Sequence, residues 1–404
     1  MKFRTLRDLN LKNKKVLLRV DYNVPVSSGI VGDPLRIEAS FDTIRYLLNR
    51  NCSIILISHL GRPEGKKVPA LSLEPVAKKA SMMLHHPITF IPECVGPKAE
   101  AAAADLKPGE IILLENTRFH KAEDDNDPVF AKQLASLAEV YVDDAFANIH
   151  RKHASIVGVT HFLDSAAGLL VEKEVKYVSG ALLHPAKPRV AVVGGAKVST
   201  KIGVLDNLIK HVDRLAIGGA MANTFLAEAG HEVGKSKQEP DLFGEVRRIR
   251  KDAKAFGVEI VLPEEGVVVS KSLEHGPGRF VHLNEVAKDD YIVDFGPKTV
   301  ADIVHPLNFH GSIIWNGPLG ITEVPEFAHG SRLLADNIIE SGVACIIGGG
   351  ETAAFVNEQG LHDEFSWVST GGGASLALMS GSELPGLTAL QKEGSKILAS
   401  LGRS

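Results

Sequence analysis

The sequence predicts an α/β fold whose parallel sheets are buried on both faces, and three observations carry that prediction. Short apolar, β-branched runs alternate with amphipathic stretches along the chain. Each run ends in a polar or glycine-rich cluster. The chain has 404 residues, enough at roughly 150 per domain for two or three cores.

In the first part the apolar runs are residues 16–20, 54–57, 111–114 and 140–142. In the second part they are 190–193, 214–217, 259–262, 312–315, 344–347 and 367–369. Continuous rather than alternating apolar runs belong to strands covered on both sides, and helical spacers between them make the neighbours parallel. The alanine-rich stretch 100–106 reads as helix from propensity alone. Residues 168–178 carry apolar positions at helical spacing and precede the proline-marked segment 184–188, which sets a domain boundary near residue 170. The expected domains are 1–170 and 171–390.

Lys and Arg number 45 against 49 Asp and Glu, a net charge of −4, so no global basic field favours nucleic acid or an anionic membrane. Any anionic ligand must be met by local clusters. Cys52, Cys94 and Cys345 are odd in number and form no CxxC pair, which suits a reducing cytoplasm. Residues 1–7 contain no apolar signal core, and no stretch approaches the roughly 18 apolar residues of a membrane span, so a cytoplasmic protein is expected. Glycine, at 38 residues, is the one compositional excess, and it points to turns where backbone approaches a ligand closely.

Ligands of open α/β sheets bind beyond the carboxyl ends of the strands. In the first half those ends carry Asp21 and Asn23, then His59 and Arg62, then Arg118 and His120, then Asp143 and Asp144, with His150, Arg151 and His153 close behind and Arg36 following the first loop. Guanidinium groups bind phosphate or carboxylate bidentately, so this set suits a small, multiply charged anion. A metal role for His150 and His153 is disfavoured by the cations Arg151 and Lys152 between them.

The second-half ends carry Gly194-Gly195-Ala196-Lys197, Gly218-Gly219, Asn316-Gly317-Pro318, Gly348-Gly349-Gly350-Glu351-Thr352 and Gly371-Gly372-Gly373. Glycine at a strand-to-helix turn lets backbone N–H groups and a helix N-terminus face a phosphate. One such turn could equally serve close packing; five in one half indicate a nucleotide site. Lys197 and Lys201, four apart, are expected on one face of a helix beginning there, reaching the same phosphate chain. Two familiar signatures fail. Gly230 and Gly234 before Lys235-Ser236 are separated by three residues where a P-loop needs four, and a dinucleotide fingerprint from Gly371 would need a small residue where Leu376 stands.

The segments Arg19-Val20-Asp21-Tyr22-Asn23-Val24-Pro25, Ser58-His59-Leu60-Gly61-Arg62-Pro63, Glu115-Asn116-Thr117-Arg118-Phe119, Gly194-Gly195-Ala196-Lys197-Val198-Ser199, Trp315-Asn316-Gly317-Pro318-Leu319-Gly320 and Ser369-Thr370-Gly371-Gly372-Gly373-Ala374-Ser375 closely resemble the phosphoglycerate kinase family. The match is collinear from about residue 5 to the C-terminus. The resemblance implies two Rossmann-like domains facing across a hinged cleft, with the tail from about 391 to 404 returning to the first. It implies a monomer that reversibly transfers the acyl phosphate of 1,3-bisphosphoglycerate to Mg-ADP, giving ATP and 3-phosphoglycerate. Asp21, Asn23, Arg36, His59, Arg62, Arg118 and Arg151 would hold phosphoglycerate. Gly195, Lys201, Gly219, Asn316, Pro318, Glu323, Gly349, Gly350, Glu351 and Thr352 would hold the nucleotide, with Glu323 on the ribose and Glu351 toward Mg²⁺. Arg36, Lys197, Lys201 and the backbone of Gly371, Gly372 and Gly373 would face the group in flight.

The chain departs from the family pattern in several places. Glu351 and Asp143 replace the usual aspartate and asparagine; Ala147, Thr117 and Ile321-Thr322 are further changes. Glu351 leaves open a second function, a non-catalytic nucleotide- or metabolite-binding relative. Against it stand Lys197, Lys201, Arg36 and the 371–373 turn, which a pure binder would not need together.

Overall fold

The structure is a computed structural model that describes residues 2–183, 186–263, 265–307 and 310–391. The chain divides into two compact α/β domains: one comprises residues up to Val175 together with the stretch from Glu383, the other Lys176–Ser382. The division falls inside one continuous helix, Leu169–Leu183. Hydropathy marks where that helix begins but not which of its turns passes from one core to the other, hence the difference from residue 170.

The first domain contains β1 (Lys15–Arg19), β2 (Val26–Ser27), β3 (Ile30–Val31), β4 (Ser53–Ile57), β5 (Ile88–Ile91), β6 (Ile111–Leu114), β7 (Val140–Asp143) and β8 (Asp164–Ala167). Six of them form one parallel sheet in the order β5-β6-β4-β1-β7-β8, while β2 and β3 make a small antiparallel pair. Strand side chains alternate between faces, and here both faces are apolar. Val16, Leu18, Ile54, Leu56 and Val142 enter one core, and Leu17, Ile55, Ile57, Leu114 and Tyr141 enter the other. β5 and β8 escaped the apolar-run reading because β5 lies half-exposed and β8, Asp-Ser-Ala-Ala, has no β-branched residue. Of the expected C-terminal tail only Gln391 is described, bridged to Phe3; residues 392–404 lie outside the described residues.

The second domain contains β9 (Arg189–Val193), β10 (Arg214–Ile217), β11 (Glu259–Val261), β12 (Gly266–Ser270), β13 (Arg279–His282), β14 (Tyr291–Phe295), β15 (Ser312–Asn316), β16 (Ala344–Gly348) and β17 (Trp367–Val368). Its main sheet is parallel, ordered β11-β10-β9-β15-β16-β17. Counting only these six strands, that is the 3-2-1-4-5-6 order of the Rossmann fold, whose direction of winding reverses between β9 and β15. A three-stranded antiparallel sheet, β13-β12-β14, was not expected. No helix among the described residues is long and apolar enough to cross a membrane.

Candidate functional site

In the first domain the loops after β1, β4 and β6 are tied together by the side chains singled out above. Arg36 donates from Nη1 to Asp21 Oδ2 at 3.0 Å and to the Asn23 carbonyl at 3.2 Å. Asn23 Oδ1 accepts the Gly61 N–H at 2.9 Å, and the Gly61 carbonyl accepts Arg118 Nη1 at 3.0 Å. Gly61 adopts φ +65°, which frees its N–H and C=O to face opposite partners. Asp21, His59 and Arg118 are buried, Arg151 is half-buried and Arg62 is exposed. The site therefore has two guanidinium groups, Arg36 and Arg118, fixed by hydrogen bonds, with Arg62 exposed beside them.

Its histidines are uncharged. Burial, then Arg19, Arg118, His153 and Arg151, holds His59 well below the ordinary imidazole value. Burial, followed by Arg118, Arg19 and Arg151, brings His153 down to about 3, so its contacts to Asp124 Oδ1 at 3.4 Å and Glu123 Oε1 at 3.9 Å are not ion pairs near neutrality. Positive charge for an anion thus comes from Arg36, Arg62, Arg118 and Arg151, and the imidazoles act as neutral partners. Arg118 Nε lies 3.2 Å from Asp124 Oδ1 without hydrogen-bond geometry.

Two cavities open in the second domain beyond the strand ends. One, about 460 Å³, is lined by Gly195, Lys197, Lys201, Asn316, Gly349, Gly350, Glu351, Thr352, Gly372 and Gly373 among others. The other, about 810 Å³, contains Glu323 and shares Gly350 and Glu351 with the first. Lys197 and Lys201 both reach the first cavity, though not from one helix face. Lys197 is extended (φ −150°), a 3-10 turn Val198–Thr200 follows, and the helix Ile202–Leu208 begins only after Lys201. That turn is held by Glu239, whose carboxylate accepts the Ser199 hydroxyl at 2.6 Å and N–H at 3.2 Å. Sequence reasoning missed Glu239, 40 residues away.

Asn316 is fully buried at the end of β15; its Oδ1 accepts Lys201 Nζ, while its Nδ2 has no partner and lies 3.1 Å from where a Cβ on Gly349 would stand. A buried donor without an acceptor is costly, so it points to an acceptor that arrives with a ligand. Burial lowers Lys201 to about 8, partly countered by Glu351. Thr352 is fully buried, and its Oγ1 accepts the Gly317 N–H at 2.7 Å, so its hydroxyl holds the β15 turn. The turn 371–373 is braced by Ser369, whose Oγ accepts the Gly371 N–H at 3.1 Å and lies 2.5 Å from Ser375 Oγ.

The glycines divide into two kinds. A Cβ on Gly194 would stand 2.1 Å from the Pro318 carbonyl oxygen, one on Gly317 2.2 Å from the Gly194 oxygen, and one on Gly219 2.9 Å from Gly195 backbone. Gly194, Gly219 and Gly317 thus let strand ends and the helix Gly219–Glu228 meet backbone to backbone. Neither Gly219 nor Pro318 lines either of these two cavities. Around Gly350 and Gly372, by contrast, no protein atom lies within 4 Å of a Cβ. Gly349 and Gly372 cap the helices Gly350–Glu358 and Gly373–Met379, so Gly350 and Gly372 are open at helix N-termini, whereas Gly219 at the start of its own helix is closed.

The sequence model of phosphoglycerate kinase matches residues 6–382. Phosphoglycerate kinases of Dictyoglomus turgidum and Moorella thermoacetica are each 46% identical, over 387 and 389 residues, covering 96% of this chain and 98% and 99% of theirs. The solved phosphoglycerate kinase of Coxiella burnetii superposes with a TM-score of 0.87 at 38% identity, covering 96% of this chain and 98% of that one. That of Pyrococcus horikoshii gives 0.83 at 29%, with the same coverage. The chain belongs to the phosphoglycerate kinase family.

Proposed function

We propose that this member of the family divides its substrates between its domains, phosphoglycerate on the guanidinium cluster of the first and Mg-nucleotide in the lysine- and glycine-lined cavity of the second. The enzyme reversibly transfers a phosphoryl group between 1,3-bisphosphoglycerate and ADP, yielding 3-phosphoglycerate and ATP. The observation that carries the division is chemical. Arg36, oriented by Asp21, and Arg118 make a partly buried anion site with fixed geometry, whereas Lys197, Lys201, the unpartnered Asn316 Nδ2 and the open turns at Gly350 and Gly372 suit an extended phosphate chain.

In the ATP-consuming direction the nucleophile is the phosphoglycerate carboxylate, ionised at neutral pH, so no general base is needed. That fits a site whose imidazoles are already neutral and whose remaining groups are cations. Arg36 and Arg118 orient the acceptor. Lys197, Lys201 and the helix N-termini at Gly350 and Gly373 stabilise charge on the phosphoryl oxygens during transfer. The nucleophile and the terminal phosphate must come within bonding reach with water excluded, since water would otherwise hydrolyse the acyl phosphate.

The described residues contain no group of three or more metal-ligating side chains. Mg²⁺ is usually held by one or two carboxylates, its own waters and substrate phosphates, so a single carboxylate beside a phosphate-sized cavity fits it. Glu351, lining both cavities, is the carboxylate that would hold it. When bound, the ion neutralises charge on the phosphates. A coupled assay of ATP formation over a magnesium titration tests the reading. Glu351→Ala should shift the magnesium dependence strongly and Glu351→Asp modestly, with the phosphoglycerate Kd constant in both. An alanine variant with wild-type magnesium dependence would remove Glu351 from the metal.

A further inference from the structure

We propose that Arg19 is a positioning residue for phosphoglycerate: it fixes His59 as a neutral imidazole with its proton on Nε2, so that the ring presents a hydrogen-bond donor to the substrate. The proposal rests on the assignment of phosphoglycerate to the first domain.

Arg19 ends β1 and is fully buried. Its guanidinium is held from three sides: Nε donates to Ser155 Oγ at 2.9 Å, Nη1 donates to the Val20 carbonyl, and Nη2 lies 3.2 Å from His59 Nδ1. Guanidinium has donors and no acceptor, so at the last contact the imidazole must accept. A neutral imidazole that accepts at Nδ1 carries its proton on Nε2. A protonated ring would set N–H against N–H beside a cation. His59 Nε2 has no partner among the described residues, which leaves that donor for a ligand.

The network behind Arg19 also shows a built device rather than a stray charge. Ser155 passes its own hydroxyl proton toward Glu123 Oε1, and its N–H donates to Glu123 Oε2 at 2.9 Å. Glu123 is fully buried, and Asp143 stands opposite Arg19 in the β1–β7 register. Glu123, reached through Ser155, thus offsets part of the charge of a cation whose burial would otherwise be very unfavourable. Lysine could supply the charge but not three directed bonds in one plane, and it is the plane that sets the ring.

The test uses the full chain with ¹⁵N-labelled histidine, His59 being identified by its absence from the His59→Gln spectrum. In wild type the two-bond ¹H–¹⁵N correlations should show an unprotonated Nδ1 and a protonated Nε2, unchanged from pH 8 to 5.5. Arg19→Lys should abolish that single-tautomer pattern. It should also raise the 3-phosphoglycerate Kd roughly tenfold or more, the scale of one hydrogen bond to a charged group, with the Mg-ADP Kd unmoved. If Arg19→Lys does not fold, Ser155→Ala should perturb the same His59 resonances. His59→Gln, whose amide nitrogen can stand near Nε2, should keep more phosphoglycerate affinity than His59→Asn, whose amide stands near Nδ1. A wild-type ring protonated on Nδ1, a tautomer indifferent to Arg19 and Ser155, or equal loss in the Gln and Asn variants would overturn the proposal. A correct tautomer combined with unchanged phosphoglycerate affinity in every variant would instead refute the assignment of the first domain to phosphoglycerate, and the proposal with it.

Discussion

Replacing Asp143 with asparagine, the residue usual in the family, should stabilise the first domain at alkaline pH and have little effect in acid. Asp143 is fully buried at the end of β7; its Oδ1 accepts the Ala145 N–H at 3.0 Å and its Oδ2 has no partner. Burial raises its carboxyl to about 6, against help for the ionised form from the Ala145 N–H, Arg19 and Tyr141. A carboxyl whose folded value lies above its unfolded one binds its proton more tightly when folded, so stability falls as pH rises from about 4 to about 6 and stays low beyond. The folded chain thus holds this proton about a hundredfold more tightly than the unfolded chain, and each tenfold is worth about 1.4 kcal/mol, so the ionised side chain withholds about 3 kcal/mol at pH 8. Asparagine keeps the acceptor for Ala145 and carries no charge, so it mimics the protonated form at every pH. At 2–4 °C per kcal/mol the first-domain melting temperature should rise by roughly 6–12 °C at pH 8 and hardly at all at pH 4.

Both tryptophans, Trp315 and Trp367, belong to the second domain, so their fluorescence is blind to this change. Calorimetry or far-ultraviolet circular dichroism between pH 4 and 8 is the appropriate assay. Asp144, raised to about 7 by burial and in part by Asp143, should keep a residual decline that moves to lower pH in the variant. An equal change in melting temperature at pH 4 and pH 8 would show that shape, not charge, governs the site, and the reasoning would fail.

Arg62→Ala or Arg151→Ala should weaken 3-phosphoglycerate binding by roughly 1.5–3 kcal/mol in isothermal titration and leave Mg-ADP unchanged; the reverse pattern would exchange the substrates between domains. Because burial lowers Lys201 to about 8, the unliganded enzyme loses that cation as pH rises through 8. The Mg-ATP Kd should therefore be flat below pH 7 and weaken above 8, and Lys201→Arg should flatten the profile whatever it does to the absolute affinity. Gly350→Ala should raise stability by about 0.4–1 kcal/mol, since its Cβ meets no protein atom and restricts the unfolded chain, yet raise the Mg-ADP KM because the methyl enters the cavity. Gly194→Ala, with its Cβ 2.1 Å from the Pro318 oxygen, should instead lower the melting temperature, and calorimetry beside steady-state kinetics separates the two.

Much of the fold was legible because parallel strands buried on both faces must be written as continuous apolar runs, and all ten such runs singled out in the sequence are strands. The antiparallel sheet was legible too. Val267, Val268 and Val269, then Ile292 and Val293, are as β-branched as any, and only the expectation of strand-helix alternation hid them. Arg19 carried its own signal, a lone cation inside the apolar run 16–20, where burial of a charge demands a partner. Its partners could not be read, since Ser155 and His59 lie 136 and 40 residues away.

The glycine turns mark the limit more sharply. Gly194-Gly195 and Gly349-Gly350 look alike in sequence, each closing a strand and each followed by residues that line one cavity. What separates them is the atom facing the missing side chain: the Pro318 carbonyl oxygen across the β9–β15 junction for Gly194, open space for Gly350. The first glycine is required by the protein even when no nucleotide is bound. The second is required by no protein contact, and what sets it apart from other open glycines is that it lines the cavity beside Lys197 and Lys201. Five glycine turns after five strands do not make five phosphate contacts; those at β9, β10 and β15 chiefly close the sheet, and those after β16 and β17 leave helix N-termini uncovered.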